Sequence, residues 1–184
     1  MISLKQLILI TCLVCLFNKT MSQTKPSVHF ASYNSIGIVA GKSPVAYTAQ
    51  TVNGLKFNSW FLGAGFGIDN YFIKTLPLFA ALKKEFVFKK VRLFLYADAG
   101  GQFITKDRKK TTVLYVYTTQ GNLYLDGGLG VTIKTGKRNS IFFCAGNTFK
   151  KITQTDFSTD TGFPYKNETV NKLSTISIKM GYQF

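Results

Sequence analysis

Several apolar stretches of this chain carry their charged side chains on one side of a two-residue alternation. In residues 91–103, Arg92 and Asp98 fall on one side of the alternation, while Leu93 and Leu95 fall on the other. A β-strand has a side-chain period of two, so this spacing collects acids and bases on one face. The residues that share the pattern along the chain are Lys83, Glu85, Arg92, Asp98, Asp126, Lys134 and Lys179. Carboxylates and ammonium groups gathered in this way can transfer protons in catalysis, or they can neutralise one another as a structural ion network.

The residue types around these charges favour the structural role. The chain has one histidine, His29, which lies near the amino terminus and outside the stretches that carry the alternating charges. It has no Gly-x-Ser-x-Gly motif, no phosphate-binding loop and no acidic cluster with metal-ligand spacing. We therefore predict an internal ion network, and no catalysis, cofactor or bound metal.

The amino terminus indicates an exported protein. Lys5 precedes an apolar run over residues 7–17, which is too short for a membrane-spanning helix but typical of a signal peptide. Small residues before Gln23 predict a signal peptide over residues 1–22 and one mature domain over residues 23–184. Two of the three cysteines would leave with the signal, so Cys144 would have no partner for an intramolecular disulfide.

The remaining chain is predicted to be all-β. Alternating apolar stretches separated by turn residues place eight strands at about residues 30–41, 45–52, 57–68, 76–86, 91–103, 123–135, 140–152 and 172–184. The dipeptide Asn53-Gly54 predicts a tight hairpin after the second strand. The links after strands two, four and six are short, whereas residues 104–120 and 153–171 form the two longest links. This alternation of short and long links predicts that both termini lie at one end of the strands and the long loops at the other.

Eight such strands are typical of a closed barrel with one apolar and one polar face. Hydrocarbon offers no hydrogen-bond partner, so a sheet that spans a membrane must close on itself. An eight-stranded barrel has a narrow interior that side chains fill, and the alternating charges would lie there. Aromatic residues near the strand ends would form girdles at the two membrane interfaces. These aromatic residues are Trp60, Tyr71, Phe72, Phe86, Phe88, Tyr182 and Phe184.

The last nine residues, 176–184, alternate without interruption and end on Phe184. Together with the Asn53–Asn58 and Leu76–Ala80 segments, they give a chain that resembles the small eight-stranded outer-membrane β-barrels of Bacteroidetes-type bacteria, a porin-like family. The resemblance implies an up-and-down antiparallel transmembrane barrel in the bacterial outer membrane. It also implies that Tyr182 and Phe184 form the insertion signal read by the barrel-insertion machinery. It carries over no catalytic residues.

The charge balance indicates anionic partners. The formal net charge is +15, and an exported protein meets anionic lipid rather than nucleic acid. Lys106, Arg108, Lys109 and Lys110 form a basic run in a predicted outer loop, where they would contact lipopolysaccharide phosphates or simply be solvated. Aromatic residues in the last long loop, around Phe163 and Tyr165, offer a contact for an unknown protein partner.

Three functions remain open from the sequence. The first is a structural or surface-interaction barrel that acts through its outer loops. The second is a minor pore or small-solute channel. The third is a secreted soluble barrel that carries an apolar ligand in its lumen.

Overall fold

The alternating stretches form eight antiparallel strands in a computed structural model, which describes residues 28–88, 91–105, 115–136, 139–158 and 166–184. The strands are β1 (Val28–Ala40), β2 (Ala46–Phe57), β3 (Trp60–Asp69), β4 (Thr75–Phe88), β5 (Val91–Ile104), β6 (Tyr115–Lys134), β7 (Ser140–Ser158) and β8 (Lys166–Gln183). The predicted signal peptide lies outside the described residues. No helix in the described ranges is long and apolar enough to cross a membrane.

The sheet closes into a barrel, as the sequence predicts. Each strand pairs with its neighbour in chain order, and β8 pairs with β1. The last residue completes this seam, because the backbone N–H of Phe184 donates to the Ser32 carbonyl at 3.1 Å and the Ser32 N–H donates to the Phe184 carbonyl at 2.9 Å. We call the end of the barrel near Val28 and Phe184 the terminal end, and the opposite end the loop end.

The register sets the width of the barrel. Stepping from Tyr33 on β1 to its cross-strand partner on β2, and on in the same way through β7, leads to Leu173 on β8. Across the closing seam, however, Tyr33 pairs with Gln183, which lies ten residues further along β8. The barrel therefore has a stagger of ten residues. Eight strands with this stagger tilt by about 40° and enclose a backbone cylinder of about 8 Å radius. An interior of this width holds side chains rather than an open channel.

The two faces of the sheet have opposite character. Large apolar side chains such as Ile36, Leu129 and Ile178 lie on the outside, where each is more than half exposed. Lysine, aspartate, glutamate, glutamine and threonine side chains are buried on the inside, together with a group of aromatic rings. This distribution is the reverse of a water-soluble barrel that carries an apolar ligand.

The predicted hairpin at Asn53-Gly54 is wrong. Both residues lie inside β2, and the chain turns instead at Asn58 and Ser59, where Asn58 adopts the left-handed φ of 55°. Gly54 serves close strand contact rather than a turn, since a Cβ at this position would lie 2.2 Å from the carbonyl oxygen of Leu62. The link between β2 and β3 is nevertheless short and lies at the terminal end, as the alternation of short and long links predicts.

Strands β6, β7 and β8 are longer than predicted. They begin or end six to eight residues beyond the predicted limits at the loop end, so the two long links shrink to residues 105–114 and 159–165. The added segments are rich in threonine, asparagine and glutamine on both faces. Without apolar alternation, a strand cannot be distinguished from a polar loop by its pattern.

Candidate functional site

The lumen is filled by charged and aromatic side chains. Among the described residues, four basic and four acidic side chains are buried, so this set is electrically balanced. They are Lys56, Lys83, Lys150 and Lys179, and Asp69, Glu85, Asp98 and Asp126. Because an unpaired buried charge is costly, balance of this kind is expected of a lumen that stabilises the barrel.

The first ion cluster lies near the terminal end. Lys56 Nζ lies 2.5 Å from Glu85 Oε1, and Arg92 Nη1 lies 3.5 Å from Glu85 Oε2. The Tyr33 hydroxyl donates to Glu85 Oε1 at 3.4 Å. Glu85 thus joins β2, β4 and β5 with a tyrosine from β1, which ties four strands together across the lumen.

Above this cluster, aromatic rings surround the ammonium group of Lys83. Its Nζ lies 3.7 Å from the centroid of the Tyr33 ring, and 5.2, 5.6 and 5.9 Å from those of Phe142, Phe94 and Phe61. Ring faces at these distances stabilise a cation that has lost its water. The rings also contact one another edge-on, with centroids 4.8 Å apart for Tyr33 and Phe61.

A small cavity separates Lys83 from the next charged group. It has a volume of about 20 Å³ and is lined by Lys83, Asp98 and Lys179 among others. One carboxylate oxygen of Asp98 accepts no hydrogen bond from the described residues. A cavity of this size with polar walls can hold one water molecule, which would serve Asp98.

The second ion cluster centres on Asp126. Its carboxylate forms an ion pair with Lys179 and accepts hydrogen bonds from the hydroxyls of Tyr96 at 3.3 Å and Tyr124 at 3.2 Å. Lys179 also donates to Gln50 Oε1 at 3.0 Å, and Gln50 donates to the Tyr124 hydroxyl at 2.7 Å. Lys179 Nζ also lies 5.1 Å from the centroid of the Tyr96 ring, so every member of this network contacts at least two others, which holds β2, β5, β6 and β8 in one geometry.

The third cluster closes the loop end. Lys150 Nζ lies 2.5 Å from Asp69 Oδ2, and both side chains are almost fully buried. Tyr71 covers the pair, because its N–H donates to Asp69 Oδ1 at 2.8 Å and its hydroxyl accepts the Ser43 N–H at 2.8 Å. Tyr71 is buried, so it does not belong to an outer aromatic girdle as the sequence suggested.

The structure places six of the seven predicted network residues in or beside these clusters. Lys83, Glu85, Asp98, Asp126 and Lys179 are buried in the lumen, and Arg92 contacts Glu85 from the terminal mouth. Lys134 is on the inner face of β6, but it is exposed at the terminal mouth and makes no ion pair with the described residues.

The sequence interpretation missed Lys56, Asp69 and Lys150. Lys56 followed the supposed turn at Asn53-Gly54, and Asp69 followed the supposed end of the third strand. Extending the second and third strands would have found Lys56, which shares its face with Gln50, and Asp69. Lys150 already lay in the predicted seventh strand, on the same face as Phe142.

The other predicted site residues lie at the ends of the barrel. Tyr182 and Phe184 face outward on and just after β8, with ring centroids 6.3 Å apart. His29 is exposed and lines the terminal mouth, an open cavity of about 760 Å³ that Arg92 and Lys134 also line. The basic run Lys106, Arg108, Lys109 and Lys110 lies outside the described residues, as do Phe163 and Tyr165. In the described part of the chain, no three His, Cys, Asp or Glu residues are grouped to hold a metal.

At the loop end, a three-stranded sheet rises beyond the closed barrel. β5 pairs with β6 only at residues 123–132, and β1 pairs with β8 only at residues 176–183. β6 and β7 nevertheless remain paired to Tyr115 and Ser158, and β7 and β8 to Phe157 and Lys166. We call residues 115–122, 151–158 and 166–175 the extension. Among the described residues, no strand ladder continues along its two outer edges on β6 and β8, although the end of β5 lies close to Gly121, where a Cβ would be 2.4 Å from the Gln102 carbonyl oxygen.

Comparisons with known proteins identify the fold. No protein-family model and no curated protein matches the chain. Among solved structures, Neisserial surface protein A is 14% identical with a TM-score of 0.56, and the match covers 87% of this chain and 98% of that one. The outer membrane protein AlkL, solved in lipid bilayers, is 11% identical with a TM-score of 0.53, and the match covers 90% and 92%. Both are eight-stranded outer-membrane β-barrels, and at these identities the likeness establishes the fold.

Proposed function

We propose that this chain is an integral outer-membrane barrel that acts by surface interaction through its loop end, and that it neither catalyses a reaction nor conducts solutes. The apolar outer face, the polar filled lumen and the likeness to outer-membrane barrels support the membrane placement. The terminal end would then face the periplasm and the extension would stand outside the cell. The resemblance to Bacteroidetes-type barrels stays a prediction that depends on the sequence motifs.

The extension is the feature of the structure that best supports a role in surface interaction. An unpaired strand edge presents backbone N–H and C=O groups that can pair with an extended segment of another protein. On β8 this edge runs from Asn167 to Thr175 and includes Glu168 and Lys172, whose charges oppose unspecific strand pairing. The edge therefore suits a protein partner that presents an extended and largely polar segment.

Site-specific photo-crosslinking on intact cells tests this role. A crosslinking amino acid at Val170 on the β8 edge is expected to capture a protein, whereas the same group at Leu95 on the outer face of β5 should capture lipid or nothing. Each variant must also show heat-modifiable migration on a gel and be recovered in the outer-membrane fraction, which shows that it is inserted. Correctly inserted protein that yields no protein adduct from either edge of the extension would contradict the interaction role.

The filled lumen argues against the pore. The lumen cavity beside Lys83 and Asp98, between the ion clusters, has a volume of only about 20 Å³, which admits no hydrated solute. We expect no steady conductance when folded protein is added to planar bilayers, and a reproducible single-channel current would support the pore instead. Recovery of the protein from the soluble periplasm or the medium would support the soluble carrier.

Two further contacts complete the proposal. Lys106, Arg108, Lys109 and Lys110 would bind lipopolysaccharide phosphates as fixed positive charges. Their joint replacement by glutamine should weaken association with lipopolysaccharide, and an unchanged association would remove this contact. Tyr182 and Phe184 would be read by the barrel-insertion machinery during assembly.

A further inference from the structure

The outer face of the barrel carries one polar patch near its middle. From β3 to β6, the outward residues of the closed barrel are apolar or glycine, apart from Lys84 near the terminal end. On β1 and β2, however, Asn34, Thr51 and Asn53 face outward. Asn34 is the seventh of 13 residues in β1, and Thr51 is the sixth of 12 in β2. The patch therefore lies close to mid-height of these two strands. We call Asn34, Thr51 and Asn53 the polar patch.

Hydrogen bonds within the polar patch and to Ser32 satisfy only some of its donor and acceptor groups. The Thr51 hydroxyl donates to Asn34 Oδ1 at 2.7 Å, and Asn34 Nδ2 lies 3.3 Å from Ser32 Oγ. A side-chain amide carries two N–H donors and two acceptor sites, so Asn34 retains capacity for further bonds. The exposed Asn53 side chain makes no hydrogen bond with the described residues. In a membrane, neither water nor lipid chains could satisfy these groups at mid-height.

The surface around the polar patch is concave. An open groove of about 800 Å³ is lined by Asn34 and Thr51 of the polar patch, and Asn53 lies on β2 two residues beyond Thr51. In the groove, the small residues Ala49 and Thr51 lie between larger neighbours that include Ile36, Phe66 and Tyr182. Small residues flanked by large ones allow two membrane-spanning surfaces to approach closely. The groove contains no charged side chain on its outward face, so a like surface can enter it without electrostatic repulsion.

We propose that the polar patch and its groove form a homodimer interface within the membrane, in which a second copy of this chain packs across a two-fold axis. Asparagine amides are both donors and acceptors, so identical patches complement each other. Asn34 and Asn53 of one barrel then bond to the same residues of its partner, and the side chains beside Ala49 interlock. A lipid chain fills the groove without satisfying the amides. The inference rests on the membrane placement proposed above.

Energy transfer between labelled copies in lipid vesicles tests the interface. The joint change Asn34→Leu, Thr51→Val and Asn53→Leu is expected to weaken association by about tenfold, since hydrogen bonds between membrane segments contribute on this scale. The matched control is Asn147→Leu with Ser174→Ala. That outward polar pair is bonded to itself at 3.1 Å and lies towards the loop end, so its change should leave association unaltered.

Disulfide crosslinking gives a second measurement that leaves the polar patch intact. In a Cys144→Ala background, Ala49→Cys should form disulfide-linked dimers in vesicles, whereas Ala97→Cys on the outer face of β5 should not. Heat-modifiable migration shows first that each variant is inserted. Inserted protein with energy transfer at the random level and equal crosslinking from both positions would overturn the dimer and leave the membrane placement standing. Protein that does not insert would instead overturn the membrane placement on which the dimer depends.

Discussion

The ion pair between Lys179 and Asp126 allows a direct measurement of what the lumen contributes to stability. Asp126→Asn removes the negative charge with almost no change of shape. It leaves an ammonium group whose side chain is 4% exposed in a lumen without that partner. We expect the free energy of unfolding to fall by about 3 kcal/mol, at the low end of the range for breaking a buried pair.

The magnitude follows from what Lys179 keeps and loses. Two unit charges about 3 Å apart in a medium of effective dielectric constant about 20 attract by about 5 kcal/mol before any compensation. After the change, Lys179 still donates to Gln50 at 3.0 Å and lies 5.1 Å from the Tyr96 ring. These contacts replace part of the lost attraction. Lys179→Met should cost about 2 kcal/mol, because Asp126 retains two hydroxyl donors that partly solvate a buried carboxylate.

Urea-induced unfolding in lipid vesicles provides the assay. Trp60 is the single tryptophan of the chain and lies on the outer face at the start of β3, so its fluorescence reports departure from the membrane. The double variant with Lys179→Met and Asp126→Asn removes both charges and should lose at least about 1 kcal/mol less than the sum of the single losses. Lys134→Met, at an exposed position of the terminal mouth, should change stability by less than about 0.5 kcal/mol.

Two results would refute this reasoning. Asp126→Asn could unfold within about 0.5 kcal/mol of the parent, which is the range of an ordinary surface change. Alternatively, the two single losses could add in the double variant within the same margin, as independent sites do. Either outcome would mean that Lys179 and Asp126 do not stabilise the barrel through each other.

Three pairs of changes test the packing, the closing seam and the turn between β2 and β3. Gly130→Ala would place a Cβ 2.3 Å from a phenylalanine ring in the lumen and should cost about 1–3 kcal/mol in the same assay. Gly101→Ala, with its nearest atom at 3.7 Å, should cost less than about 0.5 kcal/mol. Deletion of Phe184 removes both backbone hydrogen bonds to Ser32 and should lower the free energy of unfolding. Phe184→Ala keeps these bonds and should mainly lower the amount of assembled protein in cells, measured by heat-modifiable migration on a gel. Equal destabilisation by the two changes would contradict this. Asn58→Val should cost about 1–2 kcal/mol because a β-branched residue opposes the left-handed backbone, and Asn58→Gly should be tolerated.

The fold could be predicted because alternation is a local property that a membrane barrel must obey on every strand. Leu93 and Leu95 identify the outer face of β5 from their spacing alone, and Asp98 then has to lie inside. The same logic places Lys179 on the inner face of β8. A shift by one residue would bring charges to the apolar side, so the pattern leaves one choice of face.

The partners inside the lumen could not be predicted in the same way. Lys179 on β8 meets Asp126 on β6 because the ten-residue stagger and the strand tilt bring them to one level of the barrel. Stagger is a property of all eight strands together, and no local pattern contains it. The turn predicted at Asn53-Gly54 was wrong for the same reason. Position 54 needs a small residue because Leu62 on the neighbouring strand lies so close.

The electrostatic balance of the lumen bears on where the molecule meets its surroundings. The eight buried charges cancel, so the whole net charge of +15 belongs to residues outside that set. Charges inside the barrel are fixed by ion pairs and rings, and they are shielded from partners by the strands. Exposed charges at the ends of a barrel attract anions over a distance of about 10 Å at moderate salt. The sequence therefore uses its inner charges to hold one barrel geometry, whereas its excess of lysine and arginine lies outside this buried set.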